Sequence, residues 1–294
     1  TEIDRGANYC RNRLIDMCRS LQEVARAGGG RIAAVGLGVA GKIDPRQGTV
    51  ILSPNLPAMR DYPLGQEIEE ALGIPVAMEN DANAFGIGEH SVGAGRGIHN
   101  WIGLTLGTGV GGCLILDGRL WNGDHLGFVG ELGHLVIVPG GPRCNCGLNG
   151  CLEAHASATA LANGVREAVA SGELTAGPLF EASRSGRLGA RLIFEQARTG
   201  DLVAGRVFQR LGWALGLALA SLFAALGIRH AVLGGGVSAG WDCFIDPLHQ
   251  SLADHSSMLD PAKAVILRST LGDRAALIGA ASLARQHAAA RGRS

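Results

Sequence analysis

The chain has no surplus of charge. Its 26 basic and 26 acidic residues cancel over 294 positions, and the isoelectric point is about 7.1. No basic stripe is present to neutralise phosphates, which argues against nucleic acid as a direct partner. The N-terminus lacks the charged, apolar and small-residue succession of a secretory leader. The chain also has no fixed-period repeat and no low-complexity tract. Charged residues are scarce, at 18%, while 47% of positions are apolar. That supplies core for roughly two domains of about 100–200 residues each and sets disorder aside. One uncharged run, "LGWALGLALASLFAALGI" at 211–228, is long enough to cross a membrane. It follows the amphipathic "GDLVAGRVFQR" and leads at once into the strand-like "HAVLGGG", with no room for an interfacial anchor. It therefore reads as a buried helix, whose Gly212 and Gly216 admit a close neighbour. We expect a soluble cytoplasmic protein without membrane contact, a setting in which disulfides are rare.

What is abundant is glycine, at 46 residues, much of it directly after apolar runs. Leu14, Cys18, Leu21 and Val24 repeat at helical spacing and Gly28 stops that helix. "RIAAVGLGV", "TVILSP" and "IPVAMEN" read as strands, a short helix spans Leu64 to Leu72, and "ANAFGIGEHS" starts another. "NWIGLTLGTGVGGCLILDGRLW" reads as two strands around a glycine turn, then an Asp117-Gly118 hairpin. From Ser157 the pattern is mostly helical until the strands "RHAVLGGG" and "AKAVILRS" and the helix "RAALIGAASLARQHAAA". Strands alternating with helices, interrupted by hairpins, give an α/β class with a mixed sheet. The composition shift at Gly93–Gly97 marks the domain boundary. We expect a smaller domain over 1–96, completed by helix 274–290, and a larger one over 97–273.

One stretch, "HLVIVPGGPRCNCGLNGCLEAH" at 134–155, gathers His134, Cys144, Cys146 and Cys151 with nine, one and four residues between them. Thiolates and imidazole suit zinc, and four such ligands close a tetrahedral site, which would be structural because no position stays open. The alternative is three ordinary thiols. A thioredoxin-like pair needs two intervening residues, and neither cysteine spacing has them. Cys10, Cys18, Cys113 and Cys243 stand alone and read as core filler. Glu131 and Glu153 flank the cluster. Carboxylates and an imidazole held rigidly together suit hydrogen bonding to several hydroxyls, as on a sugar ring.

Two further patterns carry chemistry. "MENDANAFGIGEH" sets Asn80 and Asp81 where a strand gives way to a helix. Phosphoryl transfer to an alcohol needs a carboxylate near the attacking hydroxyl, but Asp81 is equally suited to capping the helix. Glu79 lies inside the strand and reads as pointing away from Asp81. The second pattern, "GTGVGG" at Gly107–Gly112, matches a dinucleotide fingerprint only in letters, because a strand follows it instead of a helix. Two strands around a glycine turn can still aim N–H groups at phosphate oxygens.

"GELGH" (130–134) followed by "CNCGLNGCLEA" (144–154) resembles the signature of the ROK family of sugar kinases and sugar-responsive repressors. "VGLGVAGKID", "SPNLP", "ENDAN", "VLGGGVS" and "LGDRAALIGAASLA" extend the likeness over nearly the whole chain. The resemblance implies a two-domain actin-like ATPase (ribonuclease H-like) fold with a cleft between the domains. It implies a structural zinc ion on His134, Cys144, Cys146 and Cys151, and a hexose held by Asn80, Glu131, His134 and Glu153. Asp81 would be the base. Mg-ATP would lie on Gly107, Thr108, Gly109, Gly111 and Gly112, with Gly234, Gly235 and Gly236 on its adenosine side. The implied activity is ATP-dependent phosphorylation of a hexose 6-hydroxyl, glucose first, by a homodimer. N-acetylmannosamine is the alternative substrate, and the rival reading is the sugar-sensing part of a repressor. Kinases of this kind carry a further phosphate loop, of Asp-x-Gly-Gly-Thr type, on an N-terminal hairpin. It is not among these residues: either a segment precedes Thr1 or the loop has been lost, and we expect the former. Ala40 replaces a usual proline, and Val129 a usual small residue.

Overall fold

The computed structural model describes residues 5–124 and 127–291. In chain order the elements are α1 (Ala7–Ala27), β1 (Val35–Val39), β2 (Lys42–Asp44), β3 (Thr49–Leu52), α2 (Leu64–Leu72), β4 (Val76–Asn80), α3 (Asp81–Val92), β5 (Trp101–Leu106), β6 (Val110–Leu116) and β7 (Arg119–Leu120). Then come α4 (Glu153–Ala156), α5 (Ala158–Ala170), α6 (Pro178–Arg184), α7 (Ala190–Arg198), α8 (Leu202–Leu226), β8 (His230–Gly234), α9 (Trp241–His255), β9 (Val265–Arg268) and α10 (Ala275–Arg291). They divide into two compact units. The first comprises Thr1–Gly97, Cys113–Gly130 and Thr270–Ser294, and the second Ile98–Gly112 and Glu131–Ser269. Residues 113–130, expected in the larger domain, thus group with the first unit. Cys113 of β6 packs so tightly on α3 that a Cβ on Gly86 would overlap its sulfur.

In the first unit β1 and β4 pair in parallel, from Val35 opposite Val76 to Val39 opposite Asn80. Asn80 therefore stands at the end of its strand. Ile43, Val50, Met59, Leu64, Ile68 and Met78 form the core beneath. Gly73, in the left-handed region at φ 66°, ends α2. The predicted apolar face of α1 is only partly covered: Leu21 and Val24 are exposed. The 9-residue α2 is too short to cover a helix of 21 residues. The three-residue β2, too short to show alternation, was not predicted.

Helix α10 returns from the far end of the sequence to close this unit. A Cβ on Gly88 would overlap the carbonyl of Ala275, one on Gly279 the carbonyl of Ala84, and one on Gly36 the carbonyl of Ala280. Backbone thus meets backbone on both sides of α10, and the helix has no direction in which to yield. Gly279→Ala is expected to lower unfolding free energy by about 1–3 kcal/mol through overpacking, read as a lower urea midpoint with unchanged slope.

The five-stranded sheet runs β7-β6-β5-β8-β9. β5, β8 and β9 are parallel, with Thr105 opposite Gly234 and Leu233 opposite Arg268. The predicted hairpin closes β6 on β7, with Asp117 and Gly118 at φ 51° and 73°. Among the described residues α8 is the one helix long and apolar enough to cross a membrane. Its Leu211, Ala214, Leu215, Ala218 and Leu219 are fully buried. The predicted close neighbour is α9, whose backbone lies against Gly212 and Gly216.

Candidate active site and metal cluster

The strand end at β4 turns into α3 through Asn80, which is extended at φ −60° and ψ 147°. Its Oδ1 accepts the N–H groups of Ala82 at 2.8 Å and Asn83 at 3.1 Å, and its Nδ2 donates to the Gly41 carbonyl at 3.0 Å. The capping position therefore belongs to Asn80, and Asp81 is the first residue of the helix. Beyond its own turn, where Ala82 N–H donates to Oδ1 at 2.9 Å, the Asp81 carboxylate is uncommitted. It is open to solvent, yet surrounding protein strips part of its hydration. That loss pushes its pKa up from the ordinary aspartate value, against the opposing pull of the backbone N–H groups of Ala82 and Asp81 itself.

In the second unit, His134 ends a 3-10 turn begun at Leu132. Isolated bridges between Val136 and Cys151 and between Arg143 and Asn149 fold the following loop back on itself. The ligand atoms of His134, Cys144, Cys146 and Cys151 come to lie within 4.8 Å of one another. His134 Nδ1 is 3.7 Å from Cys144 Sγ, and Cys146 Sγ is 3.6 Å from Cys151 Sγ. Four ligands at about 2.3 Å from a tetrahedral zinc ion stand about 3.7 Å apart along each edge, so this donor set fits the metal. Burial pushes Cys144 up to about 12 and raises Cys151, whereas the Leu148 N–H lowers Cys146. With Nδ1 turned to the sulfurs, His134 directs Nε2 toward Glu131, whose Oε2 is 3.9 Å away. The separation is too long for a direct hydrogen bond, but it sets the carboxylate on the side of the ring from which a metal-bound histidine is oriented.

Glu153, the first residue of α4, joins this cluster to the glycine turn between β5 and β6. Its Oε1 is 3.6 Å from Cys144 Sγ and its Oε2 accepts the Val110 N–H at 2.9 Å. The carboxylate occupies the space where a Cβ on Gly109 would sit, so a side chain there would displace Glu153 from the Val110 N–H. The turn is tight, with Gly107 N–H donating to the Gly109 carbonyl at 2.9 Å. Thr159 Oγ1 holds the Thr108 carbonyl at 2.7 Å, and Ala158 N–H holds that of Gly107 at 2.8 Å. At the end of β8, Gly235 has φ 84°, and a Cβ there would run into Leu106. Gly236 faces open space.

The ROK family model matches residues 1–287. The chain belongs to the ROK family. This ROK protein is 37% identical to the glucokinase of Thermotoga maritima over 252 residues, 86% of this chain and 79% of that one. Among solved structures it superposes on a ROK glucokinase from Streptomyces griseus, in complex with glucose and AMPPNP, at a TM-score of 0.77 and 35% identity. That match covers 94% of this chain and 88% of the other. A ROK family transcriptional regulator matches at a TM-score of 0.83 and 26% identity, over 95% of this chain and 68% of its own. The fold is accordingly the actin-like α/β architecture of ROK sugar kinases.

Within this ROK chain, the second unit brings together Glu131, His134, the three cysteines, Glu153 and the turn Gly107–Gly112. Gly235 packs beside Leu106 at the entry to that turn. Asn80 and Asp81 belong to the first unit with Gly41. Sequence reasoning had Asn80 as a free sugar ligand. Its oxygen is spent on the cap, and a single amide N–H is left for a hydroxyl. Val110 N–H is likewise taken by Glu153, which leaves the N–H groups of Thr108 and Gly109 and the Thr108 hydroxyl uncommitted among the described residues. Thr159 and Gly41, which hold the two corners, escaped notice because each acts on backbone and belongs to no side-chain pattern. Of the isolated cysteines, Cys10 and Cys113 are buried as expected, while Cys18 and Cys243 are only half-buried.

Proposed function

We infer that the chain is an ATP-dependent hexose kinase that phosphorylates the 6-hydroxyl of glucose. Glucokinases at 36–37% identity over most of the chain support the reading, as does the relative solved with glucose and a nucleotide analogue. The single observation that carries it is the Asn80 cap, which leaves a rigidly mounted Asp81 carboxylate engaged, among the described residues, by the Ala82 N–H alone. Asp81 takes the proton of the attacking hydroxyl and fixes its line of attack. Glu131, His134 and Glu153 bind the remaining hydroxyls. The turn at Thr108 and Gly109 offers N–H and hydroxyl donors to the phosphates of Mg-ATP, and the open backbone at Gly236 takes the adenosine side. His134, Cys144, Cys146 and Cys151 would hold a structural zinc ion, which when bound stiffens the loop without entering the reaction. The reading carries with it a cytoplasmic homodimer.

A coupled assay for ADP, with MgATP and a panel of hexoses, tests it. Glucose-dependent turnover with glucose preferred over N-acetylmannosamine is expected. The match to a ROK transcriptional regulator favours a second reading, a sugar sensor. Glucose binding by calorimetry with no ADP release would replace the kinase by that sensor.

A further inference from the structure

Glu79, one residue before the cap, is 5% exposed. Its Oε1 accepts the N–H of Asn80 at 2.9 Å and the Nδ2 of Asn83 at 3.0 Å. These two partners stand on either side of Asp81. Asn83 is 4% exposed, and its Oδ1 is buried without a donor among the described residues. Two costs therefore meet at one place. A buried carboxylate facing no cation among the described residues forfeits most of its hydration, and an orphaned buried carbonyl oxygen forfeits its hydrogen bond to water. Turning the Asn83 amide over removes neither, because Oδ1 would then face Glu79 Oε1, and two acceptors meet only with a proton between them. A proton on Glu79 removes the first cost by neutralising the acid, and it brings to the side of the Asn83 amide a hydroxyl donor of the kind that the orphaned oxygen lacks. Burial acts in the same direction, raising the proton affinity of Glu79 over the lowering effect of its two hydrogen bonds.

We propose that Glu79 and Asn83 form a neutral carboxylic acid–amide pair that braces the β4–α3 corner and positions Asp81. The positioning half rests on the role given to Asp81 above; the pair itself does not. Glu79 is then a positioning residue. It touches no substrate, and its neutrality keeps a like charge away from the base.

Glutamine is the neutral mimic of the protonated acid: its oxygen can accept both N–H groups, and its amide offers donors in place of the acid hydroxyl. In the zinc-loaded protein at neutral pH, a protonated-carboxyl infrared band is expected that disappears in Glu79→Gln. The same variant should keep kcat within about twofold and leave the acid limb of kcat/KM in place. Glu79→Ala removes the brace, and kcat is expected to fall about 10- to 100-fold, the cost of a misplaced reacting group, with KM for glucose little changed. Absence of the band overturns the pair. Glu79→Gln as impaired as Glu79→Ala, or a wild-type kcat in Glu79→Ala, overturns the positioning role. Should Glu79→Ala not fold, the band and the Glu79→Gln kinetics decide. Wild-type protein without turnover would count against the kinase reading alone, since the band reports on the pair either way.

Discussion

Asp81→Asn is expected to slow phosphoryl transfer by about 10²–10⁴-fold, the usual contribution of a positioned base, while glucose still binds. The substitution is nearly isosteric, and the fold has little reason to notice it. Asn80 holds the cap through its own oxygen, and the amide oxygen of the new side chain can accept the Ala82 N–H as Asp81 Oδ1 does now. What is lost is the ability to take a proton. The pH dependence of the wild-type protein should report the same group. Asp81 works only when ionised, and partial dehydration raises its pKa. Activity is therefore present above that pKa and lost as pH falls through it, at a midpoint above the ordinary aspartate value of about 3.9. Single-turnover kinetics of the variant, with glucose affinity measured separately, provide the check. Undiminished transfer would remove Asp81 from the mechanism.

The second large effect is expected at the metal cluster. Elemental analysis should find about one zinc ion per chain, as a closed four-ligand site requires, and Cys146→Ser should lower that content sharply. Cys146 is the informative choice because it is exposed. Its replacement removes a ligand without opening a cavity. Glucose binding should weaken by about tenfold or more, because His134 contributes both to the cluster and, through Nε2, to the face it shares with Glu131. Loss of charge-assisted hydrogen bonds worth about 1.5–3 kcal/mol accounts for that size. Ligand thiols release protons when metal binds, so chelator-stripped protein should reload more weakly at acid pH. Protein free of metal yet fully able to bind glucose would refute the assignment.

Much of this could be read in the sequence, and what could not has physical reasons. The strands β1, β3, β4, β5, β6, β8 and β9 announce themselves as short apolar runs, bounded by glycine, proline or polar residues. The Asp117-Gly118 hairpin follows from the left-handed freedom of those two residues. The cluster of His134, Cys144, Cys146 and Cys151 was legible because thiols and an imidazole so closely spaced suit a metal cage. The choice between Asn80 and Asp81 as cap was not legible. Either side chain can accept the same N–H groups, and the decision rests on where the strand ends, one residue earlier than local pattern can resolve. Gly109 and Gly235 read alike as ligand-facing glycines. In the structure one makes room for Glu153 and the other for Leu106. Both are contacts with residues distant in sequence, which no window of neighbouring letters contains. Glu79 was set aside as a strand residue apart from the helix that opens at Asp81. Alternation says where a strand residue points, and nothing of which helix side chain it meets there.

The position of α10 bears on how the molecule is made. It is wedged between β1 and α3, yet it follows the whole of the second unit along the chain. Until it is made the surfaces at Gly36, Ala84 and Gly88 have no cover, whereas the second unit already possesses every strand and helix it needs. Domains generally fold as units during synthesis, so the half of the protein that bears Asp81 is expected to mature after its neighbour, although it is begun first.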